Sequence, residues 1–374
     1  MATVTLSPIE TLRKNYASYF LESIPKTPIG KYASILLLRE TKSYAIFTTE
    51  GGQQQDIERT QAGLESSKPI DRLVMFKRKQ VAPERRTGKA LLRQYGILPF
   101  AVVERGDRTD VIYGAEAIAE AEKANKGKKE VKFTSVGDCY LTAGLCTRCP
   151  DCLTYGYAAI EGEGARKGRV MTDSCFSVRP YALIQKGMKF NVIDEKEQTS
   201  GTITEYDYTT PEVFLPSIVT TVDFTLDEFV YILSNLVRTT RYGKESSRQG
   251  FMRNHILAVA FSDVELFSNL EFTQAFYDAF EKDEKIDLVK GFLSKQKFID
   301  HAPTVIQKLT EDLNGRLQIV TSTESIAAFK ENSPRSWSVG LNEILSQVRE
   351  LNQDESKLTS FLRNLNTQSA SFSI

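Results

Sequence analysis

Residues 217–262 restrict the possible folds more than any other stretch of the chain. The β-branched run SIVTTVDF reads as a strand. It leads straight into Thr225-Leu-Asp-Glu228, a capping box in which a threonine hydroxyl and a glutamate carboxylate satisfy exposed amides at a helix start. In the helix DEFVYILSNLVR, Phe229, Ile232, Leu233, Leu236 and Val237 fall on one face. A basic loop, TTRYGKESSRQGFMRN, then returns the chain to the apolar strand HILAVAFS. Strand, helix, loop, strand is one half of a β-α-β-β-α-β unit.

The rest of the sequence supplies material for the other half. Ala33 to Glu50 holds two apolar runs separated by Arg39 to Ser43 and predicts a hairpin, and Arg72 to Phe76 predicts a further strand. Pro83 predicts a turn, and Arg85 to Tyr95 a helix ended by Gly96. A hairpin around Gly106-Asp107 and an Ala/Glu-rich helix from Ala115 to Ala124 follow. Tyr181 to Ile193 reads as a strand that Thr199-Ser200-Gly201 turns into a second, Thr202 to Tyr208. Together Asn191 to Pro216 form a projecting hairpin. From Asp263 the pattern is mainly helical, with a short strand near Leu317 to Thr321, a long polar helix near Val339 to Leu365 and a mobile tail, TQSASFSI. The expected class is α+β. An RRM-like (ferredoxin-like) unit takes residues 30–138 and 217–262, a cysteine-rich insertion 139–180, the projecting hairpin 191–216, and a helical region packing on that unit 263–374.

Nothing in this pattern suggests a membrane or a secreted chain. The first residues lack a basic start followed by an apolar run, and no later run approaches the ~18 apolar residues of a span, so a cytoplasmic protein is expected. Net charge is zero, from 48 basic and 48 acidic residues, and by itself names no partner. Its distribution is uneven. Lys68 to Arg93 carries nine basic residues against two acidic, whereas Asp263 to Asp287 carries eight acidic against two basic. Separate basic and acidic faces can bind a polyanion and pack copies against one another; solvated helix faces are the alternative.

Cys146, Cys149 and Cys152 occur as CTRCPDC, with Cys139 upstream and Cys175 downstream. Two cysteines spaced by two residues can point both thiolates at one tetrahedral ion. Structural zinc needs a fourth ligand. Cys139 is favoured by its short loop and Cys175 is the alternative; reduced free cysteines and an iron–sulfur cluster also remain open. A closed four-cysteine site has no open coordination position, so it would fold an insertion without activating water.

Phosphate binding needs cations spaced along a groove, with backbone amides left accessible by small residues. Two segments qualify. One is Lys77, Arg78, Lys79, Arg85, Arg86, Lys89 and Arg93; the other is Arg241, Lys244, Ser246, Arg248 and Arg253 around two glycines. The second lacks the Gly-Lys-Ser/Thr ending of a P-loop. General-base chemistry has few candidates among two histidines, His255 within an apolar strand as a core or backbone-bonded residue and His301 near a helix end. No catalytic residue is assigned.

The basic FKRKQVAPERRTGKALLRQYG, the cluster LCTRCPDCLTYG, SIVTTVDFTLDEFVYIL and RYGKESSRQGFMRN together resemble the backbone subunit of CRISPR Cascade surveillance complexes, in particular the type I-D form, within the Repeat-Associated Mysterious Protein superfamily. They span about half of the chain. The resemblance implies a non-catalytic subunit with several copies side by side along one CRISPR guide RNA, presenting it to a target DNA strand or possibly a target RNA. The large, guide-end-capping and guide-processing subunits would be its other partners. Carried over, the RRM-like unit is a palm whose two basic segments bind the guide, and the hairpin 191–216 is a thumb on which Tyr206, Tyr208 or Phe214 wedges a base. Related subunits cut RNA with a loop aspartate, for which Asp107 and Asp138 are the candidates here. A stand-alone zinc-containing RNA-binding protein is the competing reading.

Overall fold

The structure is a computed structural model describing residues 9–49, 54–140, 145–158, 164–193, 199–313, 316–322 and 337–372, with backbone only across 188–206. In chain order the strands are β1 (Tyr32–Thr41), β2 (Ile57–Gln61), β3 (Pro69–Met75), β4 (Phe100–Arg105), β5 (Arg108–Tyr113), β6 (Lys132–Val136), β7 (Tyr157–Ala158), β8 (Ala165–Arg166), β9 (Val170–Met171), β10 (Cys175–Phe176), β11 (Gln185–Ile193), β12 (Thr199–Thr209), β13 (Phe214–Val222), β14 (Met252–Ser262), β15 (Leu317–Thr321) and β16 (Trp337–Val339). The helices are α1 (Glu10–Tyr16), α2 (Lys77–Gln94), α3 (Ala115–Asn125), α4 (Pro150–Tyr155), α5 (Leu226–Arg238), α6 (Asn269–Lys282), α7 (Lys295–Leu309), α8 (Leu341–Gln353) and α9 (Glu355–Ala370).

β1 is buried almost throughout because both of its faces are covered, and its central run Ile35 to Leu38 is wholly apolar. It lies near the centre of a sheet ordered β16-β15-β14-β1-β13-β9, antiparallel except between β15 and β16. Side chains alternate across this strand. Ile35 and Leu37 join a core built with α2, α5, α8 and α9, while Leu36 and Leu38 join Phe272, Phe276 and Phe280 of α6 and Phe298 of α7 on the other face. The predicted capping box is present, with the Thr225 hydroxyl accepting from the Glu228 amide and the Glu228 carboxylate accepting from the Thr225 amide. α5 is enclosed on nearly every side, with Asp227 through Leu236 all buried.

Several expectations are corrected. Ala33 to Glu50 is not a hairpin: both edges of β1 are taken by β13 and β14, so the second run turns away and Ala45 pairs with Thr209 instead. Pro83 does not open a turn. It sits inside α2, buried with Gln80, Glu84, Gly88 and Leu91 on one side, and that packing outweighs a defect of about 3 kcal/mol. At Gly88 the helix passes so close to α5 that a Cβ would lie 2.3 Å from the Tyr231 hydroxyl. Residues 30–138 spread over three sheets, since β3 pairs with β2 and β10, and β4 with β5 and β6. The insertion is shorter than 139–180, because β9 returns to the central sheet and β10 pairs with β3.

The projecting hairpin is β11 with β12, from Gln185 to Thr209; Thr199 and Ser200 are paired strand residues rather than a turn, and Phe214 to Pro216 belong to β13. The long C-terminal helix is two, broken at Asp354, whose carboxylate caps the second. The tail is packed to Ala370, and the Phe372 ring lies 4.3 Å from the Arg166 guanidinium carbon. Among the described residues, no helix is long and apolar enough to cross a membrane.

Candidate nucleic-acid interface and cysteine site

The two basic segments are joined by a buried polar network. Arg39 of β1 and Glu84 of α2 are almost fully buried and pair at 2.9 Å. The Tyr242 hydroxyl donates to the same Glu84 oxygen at 3.3 Å and receives a hydrogen bond from the Asn254 amide at 2.7 Å. Arg39 also donates to Tyr242 and Asn254. Burial is the largest single effect on Arg39 and works against its charge, yet Glu84, Tyr242 and Cys175 together outweigh it and shift the guanidinium upward; burial pushes the Glu84 carboxyl up. This network fastens the helix carrying the first segment to the loop carrying the second. Gly250, at φ 76°, lets that loop fold back so tightly that a Cβ would sit 2.0 Å from the Tyr242 carbonyl. At its mouth Arg241 and Arg253 are exposed and flank Phe251 at 5.3 and 5.6 Å, while Lys244 and Ser246 are half-buried and Arg248 exposed.

Along α2 the cations divide into two groups. Lys77, Arg78 and Arg86 are exposed and Lys79 half-buried. Arg85, Lys89 and Arg93 recur every fourth residue on another face, and that face holds the insertion. Arg85 grips the Asp151 carboxylate with two hydrogen bonds, at 2.7 and 3.1 Å. Lys89 reaches Asp151 at 3.3 Å and the Cys139 carbonyl at 3.0 Å, and Arg93 pairs with Asp138 at 2.6 Å. All three are expected in an open groove; Arg85 and Lys89 instead hold the buried Asp151, while Arg93 forms an exposed pair with Asp138. Burial pulls the Lys89 ammonium down, but Asp151 and Cys139 more than reverse this and its net shift is upward.

The Sγ atoms of Cys139, Cys146, Cys149 and Cys152 all lie within 4.8 Å of one another. Individual separations are 3.5 Å for Cys139 to Cys152 and 3.9 Å for Cys146 to Cys152 and Cys149 to Cys139. A tetrahedron with bonds of 2.3 Å has edges of about 3.8 Å, so the donor set fits a four-thiolate ion and is too open for disulfides. The Cys146 amide donates to the Cys139 sulfur and the Cys149 amide to the Cys146 sulfur. Hydrogen bonds from Cys146, Cys149 and Cys152 hold the Cys139 thiol far below its ordinary value, while bonding to Cys139 pushes Cys149 and Cys152 up. Cys175 is no alternative ligand: it is buried on β10, donates to the Ser217 hydroxyl at 3.2 Å and packs with Met75 in a separate core.

The remaining candidates scatter. Tyr208 and Phe214 are 1% and 3% exposed, so neither can present a ring to a base; Tyr208 packs beside Tyr44 and Phe214 against Phe298. Tyr206 lies on β12 opposite Met188, its side chain outside those described. Asp107 is exposed at the β4–β5 turn, and Asp138 is held by Arg93. His255 is bonded to a side chain rather than to backbone or core, with Glu40 2.7 Å away, and His301 pairs with Asp283 at 3.0 Å.

The model of one family of CRISPR proteins matches this chain over residues 19–362. The chain belongs to that family, described as Csc2 Crispr. Among solved structures it is similar to the crystal structure of Thermofilum pendens Csc2, with 18% identity, a TM-score of 0.47, and 92% of this chain and 94% of that one covered. A chain of a CRISPR RNA-guided surveillance complex in a pre-nicking state is 11% identical at a TM-score of 0.44, over 85% of this chain and 99% of that one. A chain of a further CRISPR RNA-guided surveillance complex is 9% identical at 0.43, over the same shares. No curated protein matches.

Proposed function

We propose that this chain is a non-catalytic backbone subunit of a type I-D Cascade complex, binding guide RNA side by side with neighbouring copies and presenting it to a target strand. The observation that carries this reading is the Arg39–Glu84–Tyr242–Asn254 network. It makes one rigid unit of two basic elements far apart in sequence, as gripping a continuous phosphate backbone requires. Base pairing by the guide would then supply sequence selectivity, and the protein would read backbone and shape. An RRM-like palm is supported by the chain order β1, α2, β9, β13, α5, β14 combined with the sheet order β14-β1-β13-β9, the antiparallel arrangement of a β-α-β-β-α-β unit. The β11–β12 hairpin would be the thumb. Large, guide-end-capping and guide-processing subunits would complete the assembly in the cytoplasm.

Zinc suits the four cysteines. It would supply a closed structural cross-link, with Arg85 and Lys89 offsetting thiolate charge through their contacts with Asp151 and Cys139.

The test is light scattering after size exclusion, with single-stranded RNAs of increasing length. Bound mass should rise in protein-sized steps, and K77E/R86E should lower RNA affinity at least tenfold and reduce the salt slope by about 2. One copy per RNA at every length would move the assignment to a stand-alone binder. Arg85, Lys89 and Arg93 are poor test positions, since reversing them would disrupt the insertion as well.

A further inference from the structure

We propose that a pocket beside the part of β14 that precedes Ala258 binds a phosphate group carried by single-stranded nucleic acid, forming an anion site distinct from the loop between Arg241 and Arg253. β15 pairs with β14 only over Ala258 to Ser262, so the preceding half of β14 has no strand neighbour on that side among the described residues. A cavity of about 180 Å³ opens there, lined in part by Asn254, His255, Lys295, Asn342 and Arg349. These come from three elements: the part of β14 before Ala258, the first residue of α7, and two turns of α8.

The charge balance points to an anion. None of the described lining residues is acidic. Lys295 and Arg349 are exposed, and neither has an acidic partner among the described residues. Glu40 is the nearby carboxylate that bonds a lining residue, and it is shared by His255 at 2.7 Å and Lys42 at 2.5 Å, which blunts its charge. Asn342 sits in the first turn of the thirteen-residue α8, where amides lack intrahelical partners. The cavity falls below the ~300 Å³ at which pockets for whole small molecules begin, so a phosphate with part of its sugar suits it better than an intact cofactor.

Position along the strand favours a polynucleotide over a free ion. Arg253, at the mouth of the basic loop, lies two residues before His255 on the same side of β14. A strand of nucleic acid leaving the loop at Arg253 therefore meets this pocket next. The nucleic-acid half of the proposal rests on the backbone reading above; the phosphate half does not.

K295A/R349A in the full chain separates the two. Both positions are exposed, and an unchanged melting temperature will verify folding. Fluorescence anisotropy with a 30-nucleotide single-stranded RNA should show about tenfold weaker binding and a salt slope lower by about 2. Calorimetry with inorganic phosphate should show binding to wild type that the variant loses. Lost phosphate binding with unchanged RNA affinity would overturn the polynucleotide assignment and leave a free-phosphate site. Unchanged phosphate binding would overturn the pocket itself. If wild type binds phosphate here but no RNA at all, it is the backbone reading that fails, and with it the nucleic-acid half.

Discussion

Arg39→Ala will be among the most damaging single substitutions in this chain, costing about 3–5 kcal/mol of folding stability, because it leaves the Glu84 carboxylate buried and unpaired. Three side chains lose a donor at once, since Glu84, Tyr242 and Asn254 all accept from the same Arg39 nitrogen. Denaturant titration will read the loss as a lower midpoint. E84Q is the informative companion. It keeps the shape and removes the charge, so it should cost less than R39A while leaving a buried guanidinium with neutral acceptors. If Arg39→Ala unfolds the chain outright, the companion still decides the matter: RNA affinity in folded E84Q should fall several-fold through misplacement of the Arg241 to Arg253 loop. Full affinity in that variant would mean the network serves stability alone.

The second large effect concerns the knuckle. C146S/C149S should remove bound zinc, scored as metal per chain by elemental analysis, from about one equivalent to none. Metal binding to four-thiolate sites is coupled to folding with apparent energies of ~10–16 kcal/mol, so the insertion should lose protease resistance in the variant or after chelation. RNA affinity should change little by comparison, because the cations facing the knuckle are already engaged with Asp151 and Asp138. A protein purified without metal whose insertion nonetheless resists protease would refute the zinc assignment. Loss of RNA binding parallel to loss of metal would return Arg85, Lys89 and Arg93 to the interface.

How much was legible beforehand follows from the range of the forces involved. The Thr225 capping box, α5 and the cysteine spacing are local, and the sequence alone placed them correctly; Cys139 was preferred as fourth ligand because a short loop closes easily, and its sulfur lies with the other three. Partner choice across long separations was not legible. Basicity on α2 looked uniform until Asp151 and Asp138 were found opposite one face, although the fourfold spacing of Arg85, Lys89 and Arg93 was a usable sign that they share it. Tyr208 and Phe214 looked like exposed wedges because a strand end gives no hint of what covers it. The two-residue β9, too short for any periodicity, could not be foreseen as the edge of the main sheet.

The placement of β1 carries a consequence for how the molecule is made. Its neighbours on both sides arrive late: Ser34 meets Thr220 across 186 residues, and Arg39 meets Asn254 across 215. Until more than half of the chain has left the ribosome, a ten-residue strand with the apolar run Ile35 to Leu38 at its centre has nowhere to dock, and closing such long loops is slow. During synthesis this segment is open to mispairing with another copy. The chain thus passes its youngest moments carrying an unclaimed strand that a neighbouring copy could take.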